Sequence, residues 1–150
     1  MKISSPIFQD RTLIPGKYTC DGENINPTLR INDVPTGAVS LVLIMDDPDV
    51  PEYVRKDGVW DHWVVFNIPP ETSEIPEGSE PQGVAGQGTA GNTKYHGPCP
   101  PDGKHRYFFK LYALDTRLEL RAGVSKREVL EAMRGHVLSE ATLIGYYDRS

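Results

Sequence analysis

The chain has few cysteines, few tryptophans, no dense basic cluster and no long apolar run, and each shortage excludes something. In 150 residues there are 2 Cys, 2 Trp and 3 Met. Cys20 and Cys99 stand far apart with no Cys-x-x-Cys pair, so the spacing matches neither a zinc ribbon nor a thioredoxin-type motif. Two reduced thiols in a cytoplasmic protein are the expectation, and a single disulfide is the alternative that sequence leaves open. The longest apolar run, Leu41 to Met45, is far short of the ~20 residues that cross a bilayer. Met1 to Pro6 holds no apolar core of secretory-signal length, and the chain reads as cytoplasmic. Lys plus Arg is 16 against 21 for Asp plus Glu, a formal charge of −5. Lys104-His105-Arg106 and Lys126-Arg127 are too short to form a footprint on nucleic acid or an anionic membrane.

Turn formers and β-branched strands fill the space these absences leave. There are 14 Gly and 13 Pro, rich in turns yet below the ~25–30% typical of low-complexity chains. The length suits one domain spanning 1–150. Leu41-Val42-Leu43-Ile44-Met45 reads as a strand covered on both faces. Trp60 to Ile68 and His105 to Leu114 are long β-branched and aromatic candidates, the first stopped by Pro69-Pro70. Lys17 to Cys20, Leu29 to Ile31 and Ala141 to Tyr147 are shorter candidates. One helix is predicted, opened by the capping box Ser125-Lys126-Arg127-Glu128, with Val129, Leu130, Met133 and Val137 on one stripe. Residues 69–104 carry seven prolines and seven glycines and form a long loop, stiffened at Tyr95-His96-Gly97-Pro98-Cys99-Pro100-Pro101. A mainly antiparallel β fold with one late helix follows.

Several motifs bear on chemistry. Gly86-Gln87-Gly88-Thr89-Ala90-Gly91 spells GxGxxG, but no strong strand precedes it and no helix can follow through Pro98 to Pro101, so it is a glycine-rich loop and no dinucleotide site. No phosphate-loop lysine, GxSxG elbow or HExxH is present. Asp46-Asp47-Pro48-Asp49-Val50-Pro51 is either a solvated turn or the rim of a site, its direction held by proline. His62 alternates with Trp60 and Val64, which places the three on one strand face, in the core or aimed into a pocket. His105 and Tyr107 share a face of the next long strand. His96 and His136 read as exposed. Two Asp and two His from separate segments suggest neither a metal site nor an acid–base pair strongly.

Taken together, these segments resemble the bacterial and archaeal branch of the phosphatidylethanolamine-binding protein family. The pieces that carry the resemblance are Tyr18-Thr19-Cys20-Asp21-Gly22-Glu23-Asn24 with Pro27, Asp47-Pro48-Asp49-Val50-Pro51, His62-Trp63-Val64-Val65-Phe66-Asn67-Ile68-Pro69, and Tyr95-His96-Gly97-Pro98-Cys99-Pro100-Pro101 leading into His105-Arg106-Tyr107. The resemblance spans essentially the whole chain. It implies a large antiparallel sheet packed on a smaller one, with a helix in the C-terminal region. It also implies a small anion pocket built by Asp47, Asp49, His62, Gly97, Pro98, His105 and Tyr107, with no cofactor, no metal and no catalytic residue.

The function implied is non-enzymatic binding of phosphate or a phosphoethanolamine-like headgroup, with inhibition of a serine protease or kinase through a surface loop as the alternative. A homodimer is implied by bacterial relatives. A hydrolase using His62 with Asp47 or Asp49 is a third reading, opposed by the lack of a recognisable nucleophile. Two aspartates in an anion site need donors to outweigh them, and the imidazoles of His62 and His105 and the loop N–H groups are the candidates. Val50 stands where the family usually has alanine, and Thr93-Lys94 departs from its usual glycine before Tyr95, with Lys94 expected to bring positive charge near the mouth.

Overall fold

The computed structural model describes residues 1–149. Its nine strands are β1 (Lys2–Ser4), β2 (Thr12–Leu13), β3 (Leu29–Asn32), β4 (Ser40–Asp47), β5 (Trp60–Ile68), β6 (Glu74–Ile75), β7 (Val84–Ala85), β8 (Gly103–Leu114) and β9 (Val137–Arg149), with one helix, α1 (Lys126–Met133). They form a six-stranded sheet in the order β2-β9-β8-β4-β5-β7 and a three-stranded sheet in the order β1-β3-β6. All pairings are antiparallel except β2 on β9. The mainly β architecture with one late helix is the one expected.

The large sheet is covered on both faces, which explains the unbroken apolar run in β4. Leu41, Leu43 and Met45 point toward the small sheet and pack with Ile3, Leu29, Ile31 and Ile75. Val42 and Ile44 point the other way, onto Val129 and Met133 of α1. Alternation of period two thus feeds two cores from one strand, and every residue of β4 is buried. The capping box forms as the sequence indicates, with Ser125 accepting from the Glu128 N–H and Glu128 accepting from the Ser125 N–H.

Three local expectations are corrected. Lys17 to Cys20 is no strand: Gly16–Tyr18 makes a 3-10 turn, and the Thr19 hydroxyl donates to the Gly16 carbonyl at 2.8 Å. Such a local bond competes with strand pairing. Val137 does not extend the helical stripe, because Gly135 takes a left-handed φ of 78° and the chain leaves the helix to open β9. Leu130 is exposed as well, so only Val129 and Met133 anchor α1.

The cysteines are the third correction. Cys20 and Cys99 form a disulfide with Cα atoms 5.4 Å apart. Folding lays the Tyr18–Cys20 turn along the 95–99 loop: Cys20 N–H donates to the Pro98 carbonyl at 3.1 Å and the Tyr95 hydroxyl to the Tyr18 carbonyl at 2.7 Å. Gly97 allows this approach, since a Cβ there would collide with the Tyr18 carbonyl and the Thr19 backbone. The bridge ties the stiff loop to the body of the protein. No helix among the described residues is long and apolar enough to cross a membrane.

Candidate functional site

The ends of β4, β5 and β8 and the loop after β7 surround a cavity of about 210 Å³. Its polar wall is Asp47, His62, His96, His105 and Tyr107, and its apolar rim includes Val50, Val54, Trp60, Pro100 and Pro101. Alternation along β8 sends both His105 and Tyr107 inward, and both are buried. Proline on either side of Asp49 turns the chain away from β4 and leaves Asp47 buried at the strand end, 3% exposed.

His62 reaches this face through an irregularity that alternation does not predict. Met45 pairs with Trp63, but the next β4 residue, Asp46, pairs with Asp61. His62 is therefore the extra residue of a β-bulge, which re-aims its side chain. Its ring lies edge-on to Tyr107 at 5.3 Å between centroids, on the small-sheet side, whereas Val64 packs toward α1. The expectation that His62 shares a face with Trp60 holds, since both line the cavity, and the pairing with Val64 does not.

Hydrogen bonds behind the cavity set what each group presents to it. His62 Nδ1–H donates to the His96 carbonyl at 2.6 Å. His105 Nδ1–H donates to Asp47 Oδ2 at 2.7 Å, while Asp47 Oδ1 accepts the Asp49 N–H at 2.8 Å. Each imidazole is thereby oriented, and Nε2 is its remaining polar atom. Burial pushes the His62 imidazole down to about 4, against the opposing pull of its bond to His96, so the ring is neutral near pH 7. Burial also raises Asp47, partly offset by its bond from His105. The Tyr107 hydroxyl is fully buried and has no hydrogen-bond partner among the described residues. Its ionisation is pushed up, chiefly by burial, so it stays a donor.

The remaining expected site residues stand around the cavity rather than in its wall. Asp49 accepts from the Arg106 backbone N–H at 2.9 Å and from its guanidinium at 2.9 and 2.8 Å. That two-pronged grip, led by the guanidinium, holds the carboxyl of Asp49 below its usual value. Gly97 directs its N–H to Asn24 Oδ1 at 2.7 Å, and Pro98 carries no N–H. Both are buried where the loop packs on the Tyr18–Cys20 turn. Lys94 is exposed over a separate depression lined by Asn24, Ser79 and Glu80, away from this mouth. His96 is the residue that sequence reasoning missed: it is half-buried, its ring stacks on His62 at 6.0 Å, and it lines the cavity. Its position beside Gly97-Pro98 in a stiff loop was the available signal. Among the described residues no group of His, Cys, Asp and Glu has the arrangement of a metal site.

This geometry can be set beside known proteins. A family model described as phosphatidylethanolamine-binding protein matches residues 4–148. The chain belongs to the phosphatidylethanolamine-binding protein family. A UPF0098 protein of Methanothermobacter thermautotrophicus is 54% identical over 155 residues, covering 99% of each chain. The crystal structure of a Chlamydia trachomatis homologue of the family superposes with a TM-score of 0.96 at 48% identity, over 99% of this chain and 97% of that one. Escherichia coli YbcL, described as a member of the mammalian family, gives a TM-score of 0.88 at 26% identity, over 99% and 98%. The family fold is therefore present along the full described length, including the strand ends that enclose the cavity.

Proposed function

We propose that this chain is a non-enzymatic binding protein whose cavity takes a small anionic group, phosphate or a phosphoethanolamine-like headgroup. The observation that carries the reading is the Tyr107 hydroxyl, buried and unpartnered among the described residues beside two oriented imidazoles. A buried donor left unmade costs about 1–3 kcal/mol, and a ligand oxygen placed there recovers it. Trp60 and the valine–proline rim suit a short organic substituent, and the Trp60 face suits an ammonium group. Asp49, held by Arg106, and the Gly97-Pro98 loop act as supports for the wall.

An NMR titration of the His62 and His105 ring signals with inorganic phosphate and O-phosphoethanolamine tests this. Saturable shifts that vanish in His62→Ala are expected, with weak affinity because few contacts can form. Flat signals to high millimolar ligand overturn the pocket reading and bring forward inhibition of a protease or kinase through the 81–101 loop.

A further inference from the structure

We propose that the cavity selects the singly protonated form of its ligand, with one ligand O–H donating to His62 Nε2 and another ligand oxygen accepting from the Tyr107 hydroxyl. The inference rests on the binding reading above and specifies which ionic form is bound. It follows from an inventory of donors and acceptors. The His96 carbonyl takes the Nδ1 proton of His62, so the neutral ring offers only a lone pair at Nε2. Among the described residues Tyr107 offers the one hydroxyl in the wall. A fully ionised phosphate or a sulfate ester has acceptors only, and its oxygens meet the His62 lone pair as like against like. An acid phosphate monoester, R–O–PO₃H⁻, supplies both the hydrogen and the charged oxygens.

The surroundings keep His62 in this role. It is 4% exposed. His96 from the loop and His105 and Tyr107 from β8 face it, and Asp46 and Asp47 stand at the end of β4. Among the described residues no carboxylate hydrogen-bonds the His62 ring to hold a second proton there; the one in the wall, Asp47, is committed to His105 and to the Asp49 N–H. His105 has a different setting, its Nδ1–H held by Asp47. His62 is the acceptor that tells a protonated oxygen from a bare one.

Methyl phosphate and methyl sulfate provide the test, because at pH 5.5 both are monoanions of similar shape and only the phosphate carries a hydrogen. Calorimetric or NMR titrations of the full chain are expected to show methyl phosphate binding at pH 5.5 at least tenfold tighter than methyl sulfate. Methyl phosphate affinity should fall tenfold per unit as pH rises above the ester's second ionisation, at about 6. His62→Gln, which places an N–H donor in the same region, should bring the two ligands within about threefold of each other. Equal affinities in the natural chain, or a methyl sulfate affinity that falls with pH in parallel with methyl phosphate, overturn the selectivity while leaving anion binding in place. No binding of either ligand at any pH overturns both readings.

Discussion

Asp46 and Asp47 are neighbours in one strand, equally buried, and face opposite sides of the same sheet. On the helix side, Asp46 Oδ2 lies 3.0 Å from Lys110 Nζ and 3.4 Å from Lys126 Nζ, and Lys126 reaches Asp61 at 2.6 Å. Two carboxylates meet two ammonium groups, so the charges balance within the cluster, although Asp46 Oδ1 has no hydrogen-bond partner among the described residues. On the small-sheet side, Asp47 is paired with His105, and the cluster borders a cavity lined by His62 and by the Tyr107 hydroxyl, which has no partner among the described residues. The difference is that the Asp46 cluster balances its charges within the packed protein, whereas the Asp47 pair borders a cavity, the setting in which the proposed ligand would meet it.

The largest effect that sharpens this contrast is on pH. His62 titrates near 6.5 when unfolded and about 4 when folded, so its folded-state value is depressed. The unfolded chain then takes up a proton that the folded chain refuses, and stability falls as pH drops from about 6.5 to 4. Linkage puts the loss at roughly 3 kcal/mol. Chemical denaturation of the natural chain and His62→Gln across that range should show the difference as a flatter profile in the variant. A parallel pair of profiles would mean that His62 is not held neutral by burial.

On the opposite face, Lys126→Met should cost about 2 kcal/mol, because Asp46 and Asp61 lose a shared counter-charge while half-buried or deeper. Phosphate binding should be unchanged, since Lys126 is no part of the cavity. A loss of binding in a folded variant would break the separation between the two faces.

Tyr107→Phe should have the smallest effect on stability and the opposite sign, a gain of about 1 kcal/mol, because the buried hydroxyl removed has no partner among the described residues. Headgroup affinity should nonetheless drop by about tenfold. A variant destabilised by more than about 2 kcal/mol would show that the hydroxyl serves the fold.

Much of the scaffold was legible in advance for a simple reason. β4, β5 and β8 are long enough for their composition to dominate, and the capping box is a local device whose parts lie within four residues. Asp47, His105 and Tyr107 were legible too, because regular alternation or a proline-held strand end delivers them to the cavity. His62 reaches the cavity by a route that alternation along its own strand does not contain, since a bulge depends on the register of the neighbouring strand. The stiff Gly97-Pro98 loop marked the neighbourhood of His96, but its stacking on His62 is a tertiary contact between separate segments. The loop N–H groups were candidate donors to an anion, and a distant Asn24 claims that of Gly97.

Strand identity, the helix start and the motif residues are thus properties of the chain itself, because they rest on periodicity and local hydrogen bonding. The disulfide, the bulge at His62, the capture of Asp49 by Arg106 and the opposite fates of Asp46 and Asp47 were decided by tertiary structure. Each joins groups far apart in sequence, and only the closing of the sheets brings them within a hydrogen bond's reach.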